Sequence, residues 1–320
     1  MSSTAPIFTS AAAGPLRDAR VLLTGASGFI GQHVARQGLA EGVKIFALGR
    51  RPSPDGCQFL LADLADRAAV AAAVVQIAPD VIVHAASPGV AFGTAAFPEI
   101  LTTLVTGGSA MLDAAAALAK VPHFVQVGTG LEYAPQDRPI RESDPILPAS
   151  SSYGAAKAAA AALLGGYLGQ VPMTLVRPFN VYGAGDAAPR LGNLVIAKAI
   201  AGAPIELSPG AQLRDFLHID DCASVLWQLA AAAPEGLACY NTGSGQARPL
   251  REYVDAIATT LGEAGITADL HYGALPYRPG EPMISVPDTA KLDAALAWRP
   301  QVAFATGVAN YVRWRLATCA

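Results

Sequence analysis

The stretch ARVLLTGASGFIGQHVA, residues 19–35, decides how the rest of the chain is read. RVLLTG (20–25) has the length of a buried strand and stops on a glycine. Gly25, Gly28 and Gly31 then fall three apart, and FIGQHVARQGLAEG (29–42) continues as a helix. A strand that turns straight into a helix needs backbone with no side chain in the way. Gly25 permits the tight turn, Gly28 lets the main chain come up to a pyrophosphate, and Gly31 lets the helix pack close to the strand. The N–H groups that open the helix then face the phosphates, aided by the helix dipole. Glycines also serve plain turns. Here the strand before them and the helix after them point to a dinucleotide loop.

Outward from this loop, strand and helix patterns alternate. Strands are expected at 43–50, 59–64, 80–87, 123–130 and 173–183, with helices at 66–78, 98–120 and 151–169. Strict alternation implies a Rossmann-type α/β fold, a doubly wound parallel sheet covered on both faces. After residue 180 proline and glycine become frequent, helices shorten, and the strand LACYNTG (237–243) stands apart. The expected organisation is a loose tail at 1–17, a dinucleotide-binding domain at 18–178 with a later contribution from about 213–250, and a smaller, partly interleaved substrate domain over 179–320.

Composition narrows the function. The chain has 320 residues, 52% hydrophobic and 15% charged, enough for a large core. A net charge of −3 and a pI near 5.9 give no basic footprint for nucleic acid or an anionic membrane. Cys57, Cys222, Cys239 and Cys319 lack metal or redox spacing, so no metal is expected and a reducing, cytoplasmic setting fits best. The N-terminal residues lack a basic segment followed by a long apolar core, so a secretory signal is not expected. The most apolar helical stretch carries Lys157 and reads as a packed helix rather than a membrane span.

TGASGFIG, with its Gly-x-x-Gly-x-x-Gly spacing, resembles the nucleotide loop of the extended short-chain dehydrogenase/reductase family, the sugar-nucleotide epimerases, dehydratases and reductases. The resemblance runs from about residue 19 to 315, with the motifs in family order. It implies that Gly25, Ser27, Gly28, Phe29 and Ile30 cradle the cofactor, and that YGAAK supplies a catalytic Tyr153 and Lys157. Residues four apart share a helix face. A nearby ammonium stabilises a phenolate that would otherwise form only near pH 10, and lysine can also bind the nicotinamide ribose. VQVGTGLEYA is similar to the family's Ser-(Ser/Thr)-x-x-Val-Tyr-Gly. Thr129 then falls on the hydroxyl that meets the reacting substrate oxygen, with departures at Gly128, Glu132 and Ala134. A strand-end hydroxyl can also simply cap a turn. The family's 4,6-dehydratases carry Asp-Glu directly after this threonine. Gly130 and Leu131 stand there, which argues against a dehydratase. Leu104 falls where the family's long helix has asparagine.

FALGRRPSP sets the cofactor expectation. An acidic residue after the second strand would bind the ribose hydroxyls of NAD. Instead Gly49 leaves room, and Arg50 and Arg51 suit a 2′-phosphate, with Arg50 the better candidate. NADP(H) is therefore preferred and NAD(H) is the alternative. The resemblance places Asp63 and Leu64 against the adenine and Ala85 and Ala86 beneath the cofactor. It puts Pro178 and Phe179 beside the nicotinamide, Asn180 at a nucleoside-diphosphate sugar, and Arg214 and Arg278 on its diphosphate. Asp220 and Asp221 read as helix N-caps and His218 as structural. The first expectation is an NADPH-dependent reductase of a 4-keto-6-deoxy sugar nucleotide. The alternatives are a 4-epimerase with tightly bound NAD and, from another class, a cofactor-sensing regulator. The family also implies a homodimer through the helices at 98–120 and 151–169.

Overall fold

The computed structural model describes residues 14–88, 96–148, 151–186 and 190–319. Its central layer is a seven-stranded sheet. β1 (Arg20–Thr24), β2 (Lys44–Gly49), β3 (Gln58–Leu61), β4 (Val81–His84), β5 (His123–Val127) and β6 (Met173–Pro178) are joined by Leu237–Thr242 from much later in the chain. From one edge the order is Leu237–Thr242, β6, β5, β4, β1, β2, β3, and every neighbouring pair is parallel. The order reverses between β1 and β4, which opens a crevice at their C-terminal ends. The strand at 237–242 does not stand apart as its sequence context suggests. It pairs along its length with β6, whose six residues are all buried and need a covered edge.

The helices are α1 (Phe29–Ala40), α2 (Arg67–Ile77), α3 (Phe97–Leu101), α4 (Gly107–Ala116), α5 (Ser152–Leu163), α6 (Leu191–Ile200), α7 (Ile219–Ala232), α8 (Leu250–Glu263), α9 (Ala290–Leu296) and α10 (Phe304–Cys319). Alternation along the strands feeds two cores. Val21 and Leu23 enter the core under α1 and α7, while Leu22 enters the one under α2 and α4. Val81 and Val83 against Ile82, and Val125 and Val127 against Phe124, repeat the split. A third core gathers Val195, Ile196, Tyr253, Ile257, Tyr311 and Val312 from α6, α8 and α10. Leu292 and Trp298, also from the C-terminal stretch, enter the first core instead. Among the described residues no helix is long and apolar enough to cross a membrane.

Three details depart from the sequence reading. Gly14–Leu16 forms a single 3-10 turn and Leu16 packs on the first core, so ordered chain precedes the boundary at 18; residues 1–13 of the expected tail lie outside the described residues. The helix expected over 98–120 is α3, one π turn (Thr102–Thr106) and α4. Asp220 and Asp221 lie inside α7, whose N-cap is His218, its ring nitrogen accepting from Asp220 N at 3.3 Å. With the cap taken, the two carboxylates reach across to other elements. Asp220 meets His33 Nδ1 at 2.9 Å, and Asp221 accepts from the Gln301 and Val302 N–H groups.

Candidate active site

The glycine loop closes by contact. Gly25 has φ +75°, and a Cβ there would stand 2.6 Å from Ala86 N. A Cβ on Gly31 would come within 2.1 Å of the Gly25 carbonyl oxygen. Loop and helix therefore touch backbone to backbone, which only glycine allows. Gly28 is the N-cap of α1 and has no side chain to occupy the helix's first N–H groups, which open into a cavity. Thr24, buried at the end of β1, braces the floor. Its hydroxyl oxygen accepts from Ala86 N at 3.3 Å and shares a hydrogen bond with His84 Nδ1 at 2.7 Å. Burial, then the charge of Lys157, holds the His84 pKa down at about 3, so the ring is neutral.

At the C-terminal end of β2, a Cβ on Gly49 would meet nothing within 4 Å. Arg50 is exposed but not alone. Its guanidinium lies 3.4 Å from Glu99 Oε1 and 3.7 Å from Asp63 Oδ2. Asp63 also accepts from Ala65 N at 2.9 Å.

Tyr153 and Lys157 project from α5, capped by Ser151, whose hydroxyl accepts from Gly154 N at 3.0 Å. Lys157 Nζ donates to the Val127 carbonyl at 2.6 Å and lies 5.8 Å from the Tyr153 ring centre. Burial pushes the Tyr153 phenol up to about 12, against a hydrogen bond with the Ser87 side chain that lowers it. Burial pulls Lys157 down to about 8, against the charge of Glu132, which raises it. At neutral pH the tyrosine keeps its proton and the lysine is mostly charged.

Thr129, two residues past β5, does cap a turn. Its hydroxyl accepts from Leu131 N at 3.3 Å in the 3-10 turn Gly130–Glu132, yet the residue still lines the cavity. Behind it Glu132, fully buried, accepts from Thr129 N at 2.8 Å and pairs with Arg177 Nε at 2.7 Å. A Cβ on Gly130 would stand 2.6 Å from the Phe179 ring. Phe179 is thus a buried plate under this turn, stacked on Tyr133, and does not line the cavity as expected beside the nicotinamide. Leu104 is likewise buried, against Ile100, Ala156 and Ala160, and the π turn presents Thr103 to the cavity.

On the far wall Asn180 takes φ +35°, and its amide donates to the Ser285 carbonyl at 3.4 Å. Arg214 Nη2 donates to Glu281 Oε1 at 3.2 Å, and Arg278 N donates to Glu281 Oε2 at 3.3 Å.

One cavity of about 1250 Å³ joins all of this. Apart from Phe179, the residues selected from the sequence for cofactor, catalysis and substrate line it: Gly25, Ser27, Gly28, Phe29, Ile30, Arg50, Asp63, Leu64, Ala85, Ala86, Thr129, Tyr153, Lys157, Pro178, Asn180, Arg214 and Arg278. The volume exceeds the ~300–1,000 Å³ usual for one small ligand, which leaves space for more than one. Sequence reasoning missed Ser87, Thr103, Arg190 and Gln212, which line it too. Ser87 and Thr103 adjoin Ala86 and Leu104, and Gln212 lies two before Arg214, so closeness to the recognised motifs was a signal for these three; Arg190 has none. The structural weight of Glu132 had a signal, since Thr-Gly-Leu-Glu has the spacing of a capping box.

Residues 21–243 match the model of the NAD dependent epimerase/dehydratase family. A UDP-glucose 4-epimerase of Mycolicibacterium smegmatis is 30% identical over 314 residues, 92% of this chain and 98% of that protein. A dTDP-glucose 4,6-dehydratase of Neisseria gonorrhoeae is 29% identical over 335 residues, 92% of this chain and 95% of that protein. Among solved structures, MoeE5 in complex with UDP-glucose and NAD superposes with a TM-score of 0.81 at 28% identity, covering 94% of this chain and 99% of that one.

Proposed function

The chain belongs to the NAD-dependent epimerase/dehydratase family, and from that premise we propose that it is a nucleoside-diphosphate-sugar 4-epimerase that retains NAD through its cycle. That it is an NAD(P)-dependent enzyme of the extended short-chain dehydrogenase/reductase type follows from its relatives. The choice of epimerase rests on Arg50. The cation that the sequence offers to a 2′-phosphate already faces Glu99 and Asp63. A phosphate dianion would have to displace or repel both carboxylates, whereas ribose hydroxyls can donate to them. MoeE5, solved with NAD and UDP-glucose, supports the same reading. A dehydratase is disfavoured because Gly130 has no room for a side chain against Phe179, and Glu132 is committed to Arg177 and Thr129.

In this reading the loop Gly25–Ile30 holds the pyrophosphate, Asp63 and Leu64 the adenosine, and Ala85, Ala86 and Pro178 flank the cofactor. Asn180, Arg214 and Arg278 hold the nucleotide sugar. A bound nicotinamide supplies the acceptor and donor of hydride at C4. Tyr153 exchanges the proton of the C4 oxygen, Lys157 sets a cation 5.8 Å from its ring centre, and Thr129 hydrogen-bonds the same oxygen. The division near residue 178, and a homodimer through the helices at 98–120 and 151–169, belong to the same proposal.

A second reading, NADPH-dependent reduction of a 4-keto sugar nucleotide, keeps support from the open space at Gly49 and the second cation, Arg51. Denaturing the purified protein and quantifying released dinucleotide separates them. The epimerase releases NAD near one per chain, interconverts 4-epimers such as UDP-glucose and UDP-galactose, and consumes no NADPH with a keto sugar. Cofactor-free protein that oxidises NADPH with a 4-keto sugar would establish the reductase. A Tyr153→Phe variant with undiminished turnover would favour the regulator.

A further inference from the structure

We propose that Glu132 is a positioning residue, holding the turn that carries the Thr129 hydroxyl in register. This rests on the reading of Thr129 and Lys157 given above. A carboxylate with no exposed surface is expensive unless every oxygen is answered. Both oxygens of Glu132 are. Oε1 takes the Thr129 N–H at 2.8 Å, and Oε2 takes Arg177 Nε at 2.7 Å. Arg177 is itself fixed, donating from Nη1 to the Tyr133 hydroxyl at 2.7 Å. That hydroxyl in turn donates to Asn241 Oδ1 at 2.7 Å. Asn241 lies on the returning strand and donates from Nδ2 to the Ile140 carbonyl at 2.9 Å. The turn carrying Thr129 is therefore tied through one carboxylate to β6 and the edge of the sheet.

The neighbouring sequence is adjusted to this carboxylate. A Cβ on Gly128 would stand 2.4 Å from Glu132 Oε1. The family pattern has serine and valine at these two positions, so the glycine and the glutamate depart from it together and fit each other. The charge of Glu132 also acts on Lys157, raising its pKa against burial. The titratable groups around Lys157 are His84 from β4, Tyr153 from its own helix and Glu132. The first two are neutral at pH 7, leaving Glu132 as the anion that favours the charged amine. Around Glu132 itself stand Arg177, Tyr133, Cys239, Lys157 and Tyr153.

The test uses three variants of the full chain loaded with dinucleotide. Glu132→Gln keeps shape but turns an amide N–H towards Arg177. The double variant Glu132→Met/Arg177→Met removes the pair and fills its volume, which usually preserves folding. Thr129→Val is the control for the underlying reading. For both Glu132 variants kcat is expected to fall about 10–100-fold, with KM and dinucleotide affinity within about threefold. The alkaline limb of the kcat profile should move to lower pH, as Lys157 loses its anion. If Glu132→Gln does not fold, the double variant decides. Wild-type kcat with an unmoved alkaline limb in the folded variants overturns the proposal if Thr129→Val is impaired. Undiminished kcat in Thr129→Val overturns instead the reading on which the proposal rests.

Discussion

Lys157→Met should make the protein inactive and, at neutral pH, relieve a cost the fold now bears. Lys157 is 2% exposed and its pKa sits near 8 instead of 10.5. The folded chain thus binds this proton less tightly than the unfolded chain. Below pH 8 the amine is charged in both states and the whole penalty applies, about 3 kcal/mol at ~1.36 kcal/mol per unit. Between pH 8 and 10.5 the folded state sheds the proton first, and the penalty falls to about 1 kcal/mol at pH 9.5. Above 10.5 it is gone. Methionine carries no such penalty at any pH. Losing the hydrogen bond to the Val127 carbonyl costs about 1–3 kcal/mol at both pH values, so the pH dependence, not the sign, is diagnostic. Urea unfolding of dinucleotide-stripped protein should show the difference between variant and wild type shifting in the variant's favour by about 2 kcal/mol from pH 9.5 to pH 7. An equal gap at the two pH values would refute the view that this lysine is held charged against burial.

Other substitutions probe the rest of the site. Gly31→Ala puts a Cβ 2.1 Å from the Gly25 carbonyl oxygen, so α1 must move off the loop; dinucleotide Kd by fluorescence titration should weaken at least about tenfold, ~1.4 kcal/mol. Gly128→Ala drives a methyl into the Glu132 carboxylate, and kcat should fall while the melting temperature with bound dinucleotide still rises above that of the stripped protein. Arg214→Met removes a guanidinium from the cavity wall, and initial-rate kinetics should show KM for the nucleotide sugar up about 10–100-fold, from ~1.5–3 kcal/mol of charge-assisted hydrogen bonding, with kcat little changed.

Much of this was legible in the sequence because the informative residues act locally. Gly25 turns the chain at φ +75° and Gly31 packs on the Gly25 carbonyl six residues back, and a four-residue interval puts Tyr153 and Lys157 on one face wherever the helix lies. What could not be read depends on partners distant in the chain. Arg50 followed by Arg51 looks like an unopposed cation until Glu99, from another helix, comes within 3.4 Å. Phe179 follows Pro178 in the motif, yet Gly130 and Tyr133 draw it under the floor. Asp220 and Asp221 have the composition of caps, but His218 arrives first and releases them to His33 and to the segment at 301–302. The π turn has no marker in TTLVT, and it decides that Thr103, not Leu104, meets the cavity.

The strand at 237–242 also has a consequence for synthesis on the ribosome. Domains generally fold as they emerge, N-terminal part first. Here β6 leaves the exit tunnel with all six residues destined for burial and no neighbour on its outer side until Leu237–Thr242 has been made. During that interval the nascent chain carries an open apolar edge, the kind that recruits other chains. A fragment ending after β6 would keep that edge permanently, so the cofactor-binding half is not a portable module. Expressed alone it should aggregate, whereas extension through residue 242 restores the missing neighbour.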